Sequence, residues 1–363
     1  MIALLSLCAW LYLFFAHGEF WRSRPQLSPA VPQEIPDVDI IVPARDEAET
    51  IQAAMGSLLS QDYAGVFRVI LVDDNSTDGT ASLAGEAPNL QIIRLNSKPS
   101  DWSGKLWALH QGIAASHSPI VLLTDADIVH QPAHLASLVA KLLDSRLDMV
   151  SEMVRLNCTS LAERMLVPAF VYFFQMLYPF ARVNDPRSVV AAAAGGTVLV
   201  RRDALARIGG IEAIKEALID DVALAKAVKR SGSIFLGHSQ LAASIRRYAR
   251  VSDMWHMISR TAFTQLRYST PLLLLTIAAL SAVWLVPPWE AVFGRGWAFG
   301  CGLAACLLAA LSYIPTLMRY QRNMLWVFAL PLIAVFYMAA TTASAVNYWR
   351  GKGASWKNRA YSR

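Results

Sequence analysis

Three apolar runs, each followed by acidic residues, constrain the fold of this chain more than any other feature. The runs are VDIIV (38–42), FRVILVDD (67–74) and IVLLTDAD (120–127), and helical patterns separate them. An apolar run of this length suits a strand that is buried on both faces, and strands that alternate with helices indicate a mostly parallel sheet with right-handed crossovers. Polar residues at the carboxyl ends of such strands lie where open α/β sheets bind ligands. We therefore expect an α/β fold with a binding cleft at one edge of the sheet.

The acidic residues that follow these strands are expected to meet at that edge. They form three pairs, namely Asp46 and Glu47, Asp73 and Asp74, and Asp125 and Asp127. Neighbouring carboxylates repel each other, and a divalent cation removes the conflict because magnesium commonly shares one or two carboxylates with substrate phosphates. A single pair is equally typical of a strand-to-helix turn that an aspartate caps. Three pairs in succession favour a cleft for a nucleotide and a metal ion.

Composition places part of the chain in lipid. The 363 residues are 55% hydrophobic, with a mean hydropathy of +0.36, which is too apolar for an ordinary soluble protein. Apolar spans cover residues 1–16, 271–288, 297–318 and 325–346. The four cysteines form no CxxC pair, so neither a disulfide framework nor a zinc site is indicated, and a reducing compartment fits. The net charge of +6 lies in clusters beside apolar spans, which favours anionic lipid headgroups over nucleic acid as the partner.

The first span is interpreted as a retained anchor, with a cleaved signal peptide as the alternative. It lacks a preceding basic region, and it ends in the sequence HGE (17–19) instead of a small-residue cleavage site. Sixteen residues are short for a membrane crossing, so we expect the helix to continue, tilted, through residues 20 and 21. The arginines at 22 and 24 follow, and the positive-inside rule then places the next domain in the cytoplasm.

The chain is expected to divide into six segments. These are a transmembrane anchor (1–21), a proline-rich linker (22–37), the α/β domain (38–245), a basic and aromatic interfacial helix (246–269), transmembrane helices (270–349) and a basic tail (350–363). Within the α/β domain, residues 165–181 are apolar all round, so they predict a helix in the membrane interface or a buried core helix. Three full crossings would put the basic tail outside, against the charge rule. Either one span is re-entrant or interfacial, or the tail is an exception.

Taken together, the motifs resemble a known enzyme family. PARDE (43–47), VDDNSTDGT (72–80), WSGK (102–105), TDAD (124–127), GGT (195–197) and IDD (219–221) follow the order and spacing of the inverting family 2 glycosyltransferases, which have the GT-A fold. The anchored architecture, DWSGKLWALHQG (101–112) and VNDPRS (183–188) are most similar to the bacterial hopanoid-biosynthesis-associated glycosyltransferases. The membrane arrangement also resembles ceramide glucosyltransferases. The resemblance covers residues 38–268 and implies a GT-A catalytic domain with a Rossmann-like, mostly parallel sheet.

The resemblance also implies which residues bind the donor. Glu47 and Asp74 would hold the uracil and the ribose, and Pro43 belongs to the same donor-binding motif. Lys105 would lie near the diphosphate, and Asp125 would touch the ribose or the metal ion. The implied donor is a nucleotide sugar.

The metal ion and the base are assigned in the same way. Asp127 would ligate a divalent cation, Mg²⁺ or Mn²⁺, and Asp221 would be the general base. The residue before the base is often Glu in relatives and is Asp220 here, so either carboxylate can be the base. Successive helical side chains diverge by about 100°, so we expect one carboxylate to point into the cleft and the other aside. The Gln-x-x-Arg-Trp element of processive synthases is out of register at 264–268, which disfavours a polymerase, and Arg267 is expected to neutralise the leaving diphosphate.

These roles predict a metal-dependent, inverting transfer of a sugar from a nucleotide diphosphate donor to a membrane lipid. The resemblance implies a hopanoid-related acceptor, with polyprenyl phosphate and ceramide-like or diacylglycerol-like lipids as alternatives. A catalytically silent membrane scaffold and a nucleotidyltransferase are rivals from other classes. The expected partners are the nucleotide sugar, the lipid acceptor and the bilayer, without nucleic acid. The expected location is the bacterial inner membrane, with several crossings and a cytoplasmic catalytic domain.

Overall fold

A computed structural model describes residues 1–351, 355–356 and 359–360. The chain forms two compact units, each assembled from separate stretches of sequence. The first unit contains residues 1–23, 158–181 and 248–354, and the second contains residues 24–157, 182–247 and 355–363. The apolar spans therefore belong to the first unit, and the three strands that end in acidic residues belong to the second.

The strands of the second unit form a mixed sheet with eight described members. They are β1 (Val38–Ala44), β2 (Phe67–Asp73), β3 (Leu90–Arg94), β4 (Ile120–Thr124), β5 (Ile128–His130), β6 (Met149–Arg155), β7 (Thr197–Arg201) and β8 (Ile234–Ser244). Their order in the sheet is β3-β2-β1-β4-β7-β6-β8-β5. Strands β3, β2, β1 and β4 are parallel, as are β6 and β8, whereas β7 is antiparallel to β4 and β6, and β5 to β8. Two further short strands, β9 (Ser355–Trp356) and β10 (Arg359–Ala360), pair with each other. The predicted α/β fold with a mostly parallel sheet is confirmed.

The helices follow the predicted alternation with the strands and then the apolar spans. They are α1 (Ile2–Phe15), α2 (Ile51–Leu59), α3 (Thr80–Leu83), α4 (Gly104–Ala114), α5 (His134–Asp144), α6 (Leu161–Leu177), α7 (Phe180–Asn184), α8 (Arg202–Arg207), α9 (Asp220–Lys229), α10 (Val251–Gln265), α11 (Thr270–Trp284), α12 (Val286–Phe293), α13 (Trp297–Arg319) and α14 (Leu330–Trp349). Two 3₁₀ turns occupy Ile211–Ile214 and Met324–Ala329.

Helices cover both faces of the sheet, which explains why β1 is apolar without alternation. On one face, buried side chains of α2 and α5 pack against β1 and its neighbours. On the other face, α4 packs against β1 and β2. Contact there is close because α4 presents Gly112 to the sheet, where an added Cβ would lie 2.4 Å from Ile41 Cγ2. All seven residues of β1 are consequently buried.

The first unit is built from apolar helices that pack through aromatic and small polar side chains. Trp10 of α1 donates its indole N–H to the carbonyl oxygen of Val283 at 2.8 Å, and its ring meets that of Trp284 edge to face at 5.0 Å. Tyr172 of α6 shares a 2.6 Å hydrogen bond with Ser312 of α13. Buried indole and phenol groups need such partners, so these bonds fix how the helices pack within the unit.

Three stretches of the described residues are long and apolar enough to cross a membrane. They are Thr270–Phe293, Trp297–Arg319 and Met324–Trp349. The first of these is interrupted at Leu285, between α11 and α12, directly before the proline pair at 287 and 288. The interfacial positions expected for residues 165–181 and 246–269 stay predictions, and most of the basic tail (350–363) lies outside the described residues.

The expected continuation of the first helix through residues 20 and 21 is wrong. Helix α1 ends at Phe15, because Gly18 and Glu19 both have positive φ, at 64° and 49°, which an α-helix does not accommodate. Its 14 residues span about 21 Å, less than the hydrocarbon core of about 30 Å. Its role as a membrane anchor stays a prediction.

Candidate active site

The carboxyl ends of β1, β2 and β4 bring the donor-site candidates together. These strands are neighbours in the sheet, and Ala44 at the end of β1 is in register with Asp73 at the end of β2. Asp74 is fully buried, and its backbone N–H donates to the carbonyl oxygen of Ala44 at 2.8 Å. Arg45 donates to the backbone carbonyl of Asp74 and places its Nη1 3.8 Å from a carboxylate oxygen of the same residue. Pro43, in β1, lines a cavity at this edge of the sheet.

Lys105 is the central charge of this cavity. Its Nζ lies 3.0 Å from Asp125 Oδ1 and 3.2 Å from Asp220 Oδ2. Burial opposes a charge on Lys105, but the two carboxylates outweigh it and hold the lysine pKa well above its ordinary value. Burial raises the pKa of Asp125, although Lys105 opposes the shift. Lys105 therefore stays protonated.

Asp221 is held in place by backbone N–H groups. Its Oδ2 accepts from the Gly195 N–H at 2.8 Å, and its Oδ1 accepts from the Val222 N–H at 2.7 Å. A side chain at position 195 would crowd this approach, because an added Cβ would lie 3.2 Å from Asp221 Oδ2 and 3.4 Å from Lys105 Nζ. Burial, together with the neighbouring Asp220 carboxylate, raises the pKa of Asp221 to about 7. A carboxyl group with this pKa can take up and release a proton near neutral pH.

Both acids at the start of α9 line the same cavity. Its lining includes Pro43, Lys105, Asp125, Gly195, Asp220 and Asp221. The expectation that one of the two carboxylates would point aside is wrong. The helix begins at Asp220, and partners on different elements hold the two side chains, with Lys105 on Asp220 and Gly195 on Asp221. The two side chains leave the helix in different directions, and both still line the cavity.

Asp127 lies in a second part of the site, where an arginine links it to Glu47. Its Oδ2 accepts from Ser244 Oγ at 3.0 Å and from Arg246 Nε at 2.9 Å. Arg246 also donates from Nη2 to Glu47 Oε1 at 2.6 Å, and both carboxylates are buried. From the sequence, Arg246 is expected only at the start of the interfacial helix (246–269). No motif marked it, because it reaches the site only through the pairing of β8 in the sheet.

Asp127 and Asp125 carry the carboxylate oxygens that this site offers to a divalent cation. The described residues contain no group of three His, Cys, Asp or Glu side chains arranged to hold a metal ion. Asp127 is nevertheless a buried carboxylate whose charge is balanced by Arg246, and Asp125 lies two residues before it. Magnesium commonly takes one or two protein carboxylates and completes its shell with water and substrate phosphates. Arg267 lies in the first unit, and its expected role at the diphosphate stays a prediction.

The fold and the site define a GT-A domain, and comparison with known proteins identifies its family. Residues 39–209 match the model of the family described as Glycosyl transferase family 2. This region is therefore a glycosyl transferase family 2 domain, and the predicted enzyme class is confirmed for it.

Two bacterial proteins are similar to part of this chain. The chain is 35% identical over 109 residues to the succinoglycan biosynthesis protein ExoU of Rhizobium meliloti, which covers 29% of the chain and 30% of that protein. It is 32% identical over 116 residues to an N-acetylglucosaminyltransferase of Bradyrhizobium elkanii, which covers 30% of the chain and 62% of that protein. The chain thus spans less than two thirds of the length of these relatives.

A mannosyltransferase from Pyrobaculum calidifontis, solved in complex with GDP-Man and Mn²⁺, has a similar fold. The TM-score is 0.58 at 21% identity, and the match covers 97% of this chain and 99% of the other. The predicted GT-A fold with an N-terminal apolar helix and C-terminal apolar helices is confirmed.

Proposed function

We propose that this protein transfers a sugar from a nucleotide diphosphate donor to a hydroxyl group of a membrane lipid, with inversion at the anomeric carbon. The observation that carries the proposal is the arrangement around Lys105. A protonated lysine, paired with Asp125 and Asp220, lies in one cavity with Asp221, a carboxyl whose pKa is near neutral. A single displacement needs these two elements, a positive charge for the leaving group and a base for the acceptor.

The donor is assigned to the ends of β1, β2 and β4. Glu47 and Asp74 would bind the nucleoside, and Lys105 would balance the charge of the diphosphate. Asp127 would hold a divalent cation, and the Mn²⁺ complex of the Pyrobaculum mannosyltransferase supports a metal of this kind. Such a cation would supply Lewis-acid stabilisation of the departing nucleoside diphosphate. The guanidinium of Arg246 balances the charge of the Asp127 carboxylate. When the donor binds, the Arg246 side chain would move away and release the Asp127 carboxylate.

The acceptor is assigned to Asp221. Its carboxylate would take the proton of the acceptor hydroxyl while the hydroxyl oxygen forms a bond to the anomeric carbon. The bond from that carbon to the diphosphate oxygen breaks in the same step, and its electron pair leaves with the nucleoside diphosphate. Asp220 is less suited to be the base because it is paired with Lys105 at 3.2 Å. The Gly195 N–H holds Asp221 in place for the transfer.

A lipid acceptor is proposed because the domain shares its chain with helices that are long and apolar enough to cross a membrane. We infer a multi-pass protein of the bacterial inner membrane. Its proposed segments are an anchor (1–21), a linker (22–37), the catalytic domain (38–245), an interfacial helix (246–269), transmembrane helices (270–349) and a basic tail (350–363). The proposed acceptor class is a hopanoid-related lipid. Polyprenyl phosphate and ceramide-like or diacylglycerol-like lipids are the alternatives that the test must separate.

The test incubates the purified protein in lipid nanodiscs with a panel of nucleotide sugars. The panel begins with donors of N-acetylglucosamine and with GDP-mannose, the sugars named for a relative and for the similar structure. Release of nucleoside diphosphate is measured without acceptor and with each lipid class added separately, and Asp221→Asn is the inactive control. Release that depends on one lipid class supports the proposal and names the acceptor. Release of pyrophosphate instead would indicate a nucleotidyltransferase, and donor binding without turnover would indicate a scaffold.

A further inference from the structure

A buried chain of polar side chains lies beneath the candidate active site and takes no part in the reaction proposed above. Thr124, His130, His134 and Glu152 are each at most 4% exposed. Thr124 donates its hydroxyl to the carbonyl oxygen of Gly196 at 2.8 Å, and its Oγ1 lies 3.2 Å from His130 Nε2. The Nδ1 atoms of the two histidines are 2.8 Å apart, and His134 Nε2 lies 2.5 Å from Glu152 Oε1. The four side chains thus form a continuous hydrogen-bonded chain.

The protons of this chain can be assigned from its donors and acceptors. Because the single Thr124 proton goes to Gly196, His130 must donate from Nε2 to the Thr124 oxygen. Burial and the neighbouring His134 hold the pKa of His130 well below its ordinary value, so His130 is neutral and accepts at Nδ1. His134 must then donate from Nδ1. The contact between His134 Nε2 and Glu152 Oε1 closes the far end of the chain, and the bonds from His134 through His130 and Thr124 all point towards Gly196.

The chain ends at the turn that holds the proposed base. Gly196 follows Gly195, whose N–H donates to Asp221 Oδ2 at 2.8 Å. The turn is held on its other side by Ser151, which accepts from the Ala194 N–H at 2.8 Å and donates to the Ala194 carbonyl at 3.1 Å. The direction of the Gly195 N–H therefore depends on buried groups on both sides of the turn.

We propose that Glu152, His134, His130 and Thr124 form a positioning network that orients the Gly195-Gly196 turn and, through it, the base Asp221. The role of Asp221 rests on the function proposed above, whereas the orientation of the turn does not. A network that only fills the core would tolerate any folded variant of similar volume. A positioning network requires a hydroxyl at residue 124 and a hydrogen-bonding partner for His134 at residue 152.

Two pairs of variants separate these possibilities. Thr124→Val removes the hydroxyl and leaves the His130 N–H without its acceptor, whereas Thr124→Ser keeps the hydroxyl. Glu152→Met removes the hydrogen-bonding partner of His134 Nε2, whereas Glu152→Gln keeps one, because its amide group can donate to or accept from that nitrogen. We expect kcat to fall about 10-fold to 100-fold in Thr124→Val and about 10-fold in Glu152→Met, with the donor KM within about 3-fold of wild type. The Ser and Gln variants are expected to retain kcat within about 3-fold of wild type.

A second measurement does not depend on turnover. Hydrogen exchange of a peptide that covers residues 191–197 is expected to be about 10-fold faster in Thr124→Val and unchanged in Thr124→Ser. In wild-type protein labelled with ¹⁵N-histidine, His130 is expected to be protonated at Nε2 and not at Nδ1. If wild type turns over no nucleotide sugar, the proposed function fails. The hydrogen exchange of residues 191–197 and the tautomer of His130 still test whether the network orients the turn. The proposal is overturned if folded Thr124→Val has the same hydrogen exchange and the same kcat as wild type. It is also overturned if Glu152→Gln is as impaired as Glu152→Met.

Discussion

Replacing Asp221 by asparagine is expected to make the protein less active and to remove a loss of stability that wild type shows as the pH rises. Burial and the Asp220 carboxylate raise the pKa of Asp221 to about 7, whereas an aspartate in an unfolded chain titrates near about pH 4. Between these values the folded protein keeps a proton that the unfolded chain has released. The stability of wild type therefore falls as the pH rises from about 4 to about 7, and it is level above that.

The size of the effect follows from the same pKa. Two pH units lie between about pH 5 and the pKa of Asp221, and each is worth about 1.4 kcal/mol, so wild type loses up to about 3 kcal/mol over this interval. Asparagine does not titrate and does not carry this cost. The stability of Asp221→Asn relative to wild type should thus rise by up to about 3 kcal/mol between about pH 5 and about pH 8. Turnover should fall about 100-fold or more, the scale for loss of a positioned base, while donor binding is retained.

Thermal unfolding of the purified protein in detergent at the two pH values tests the stability, and release of nucleoside diphosphate tests the turnover. Asp220→Asn is the matched control, because it removes the adjacent carboxylate without removing the proposed base. It should be the milder variant in turnover, and it should move the acidic limb of activity to lower pH because Asp220 helps to raise the pKa of Asp221. If Asp221→Asn follows wild type in stability at both pH values, the assigned pKa is wrong. If turnover collapses in Asp220→Asn and survives in Asp221→Asn, the two roles are exchanged.

Three further substitutions test the rest of the site and the fold. Asp127→Asn should abolish transfer and metal-dependent donor binding in a folded protein, and full wild-type activity in excess chelator would contradict the metal assignment. Asp74→Ala should weaken nucleoside diphosphate binding in calorimetry by about 1–3 kcal/mol, the cost of an unpaired buried polar group, and equal affinity would remove Asp74 from the site. Gly112→Ala should lower the free energy of unfolding by about 1–2 kcal/mol, because its Cβ would lie 2.4 Å from Ile41 Cγ2 and 3.0 Å from Val72 Cγ2, only partly offset by better helix propensity. An unchanged midpoint of thermal unfolding in Gly112→Ala would refute the predicted loss of stability.

The sequence determined the layers of the second unit and the edge at which its site lies. A run such as Ile120–Thr124 predicts a buried strand without reference to the rest of the chain, because apolar residues without alternation suit only a strand covered on both faces. Parallel strands end at the same edge, so Glu47, Asp74 and Asp125 could be placed together from their positions alone. The apolar spans were equally predictable, since length and hydropathy are local properties.

Only the tertiary structure decided which charges meet within that edge. Arg246 is 199 residues from Glu47 and 119 from Asp127, and it contacts both because β8 joins the sheet beside β5 and β6. The end of α1 at Phe15 depends on backbone angles at residues that the hydropathy pattern treats as a continuation.

The contacts of the two acids of α9 and of the buried histidines could not be predicted from the sequence either. The periodicity of a helix gives the angle between Asp220 and Asp221, but only the positions of Lys105 and Gly195 make both of them walls of one cavity. His130 and His134 lie one helical turn apart in sequence, yet their partners Thr124 and Glu152 come from different strands. Local patterns repeat every two or 3.6 residues and can be read along the chain, whereas hydrogen bonds between strands depend on a strand order that no local period encodes.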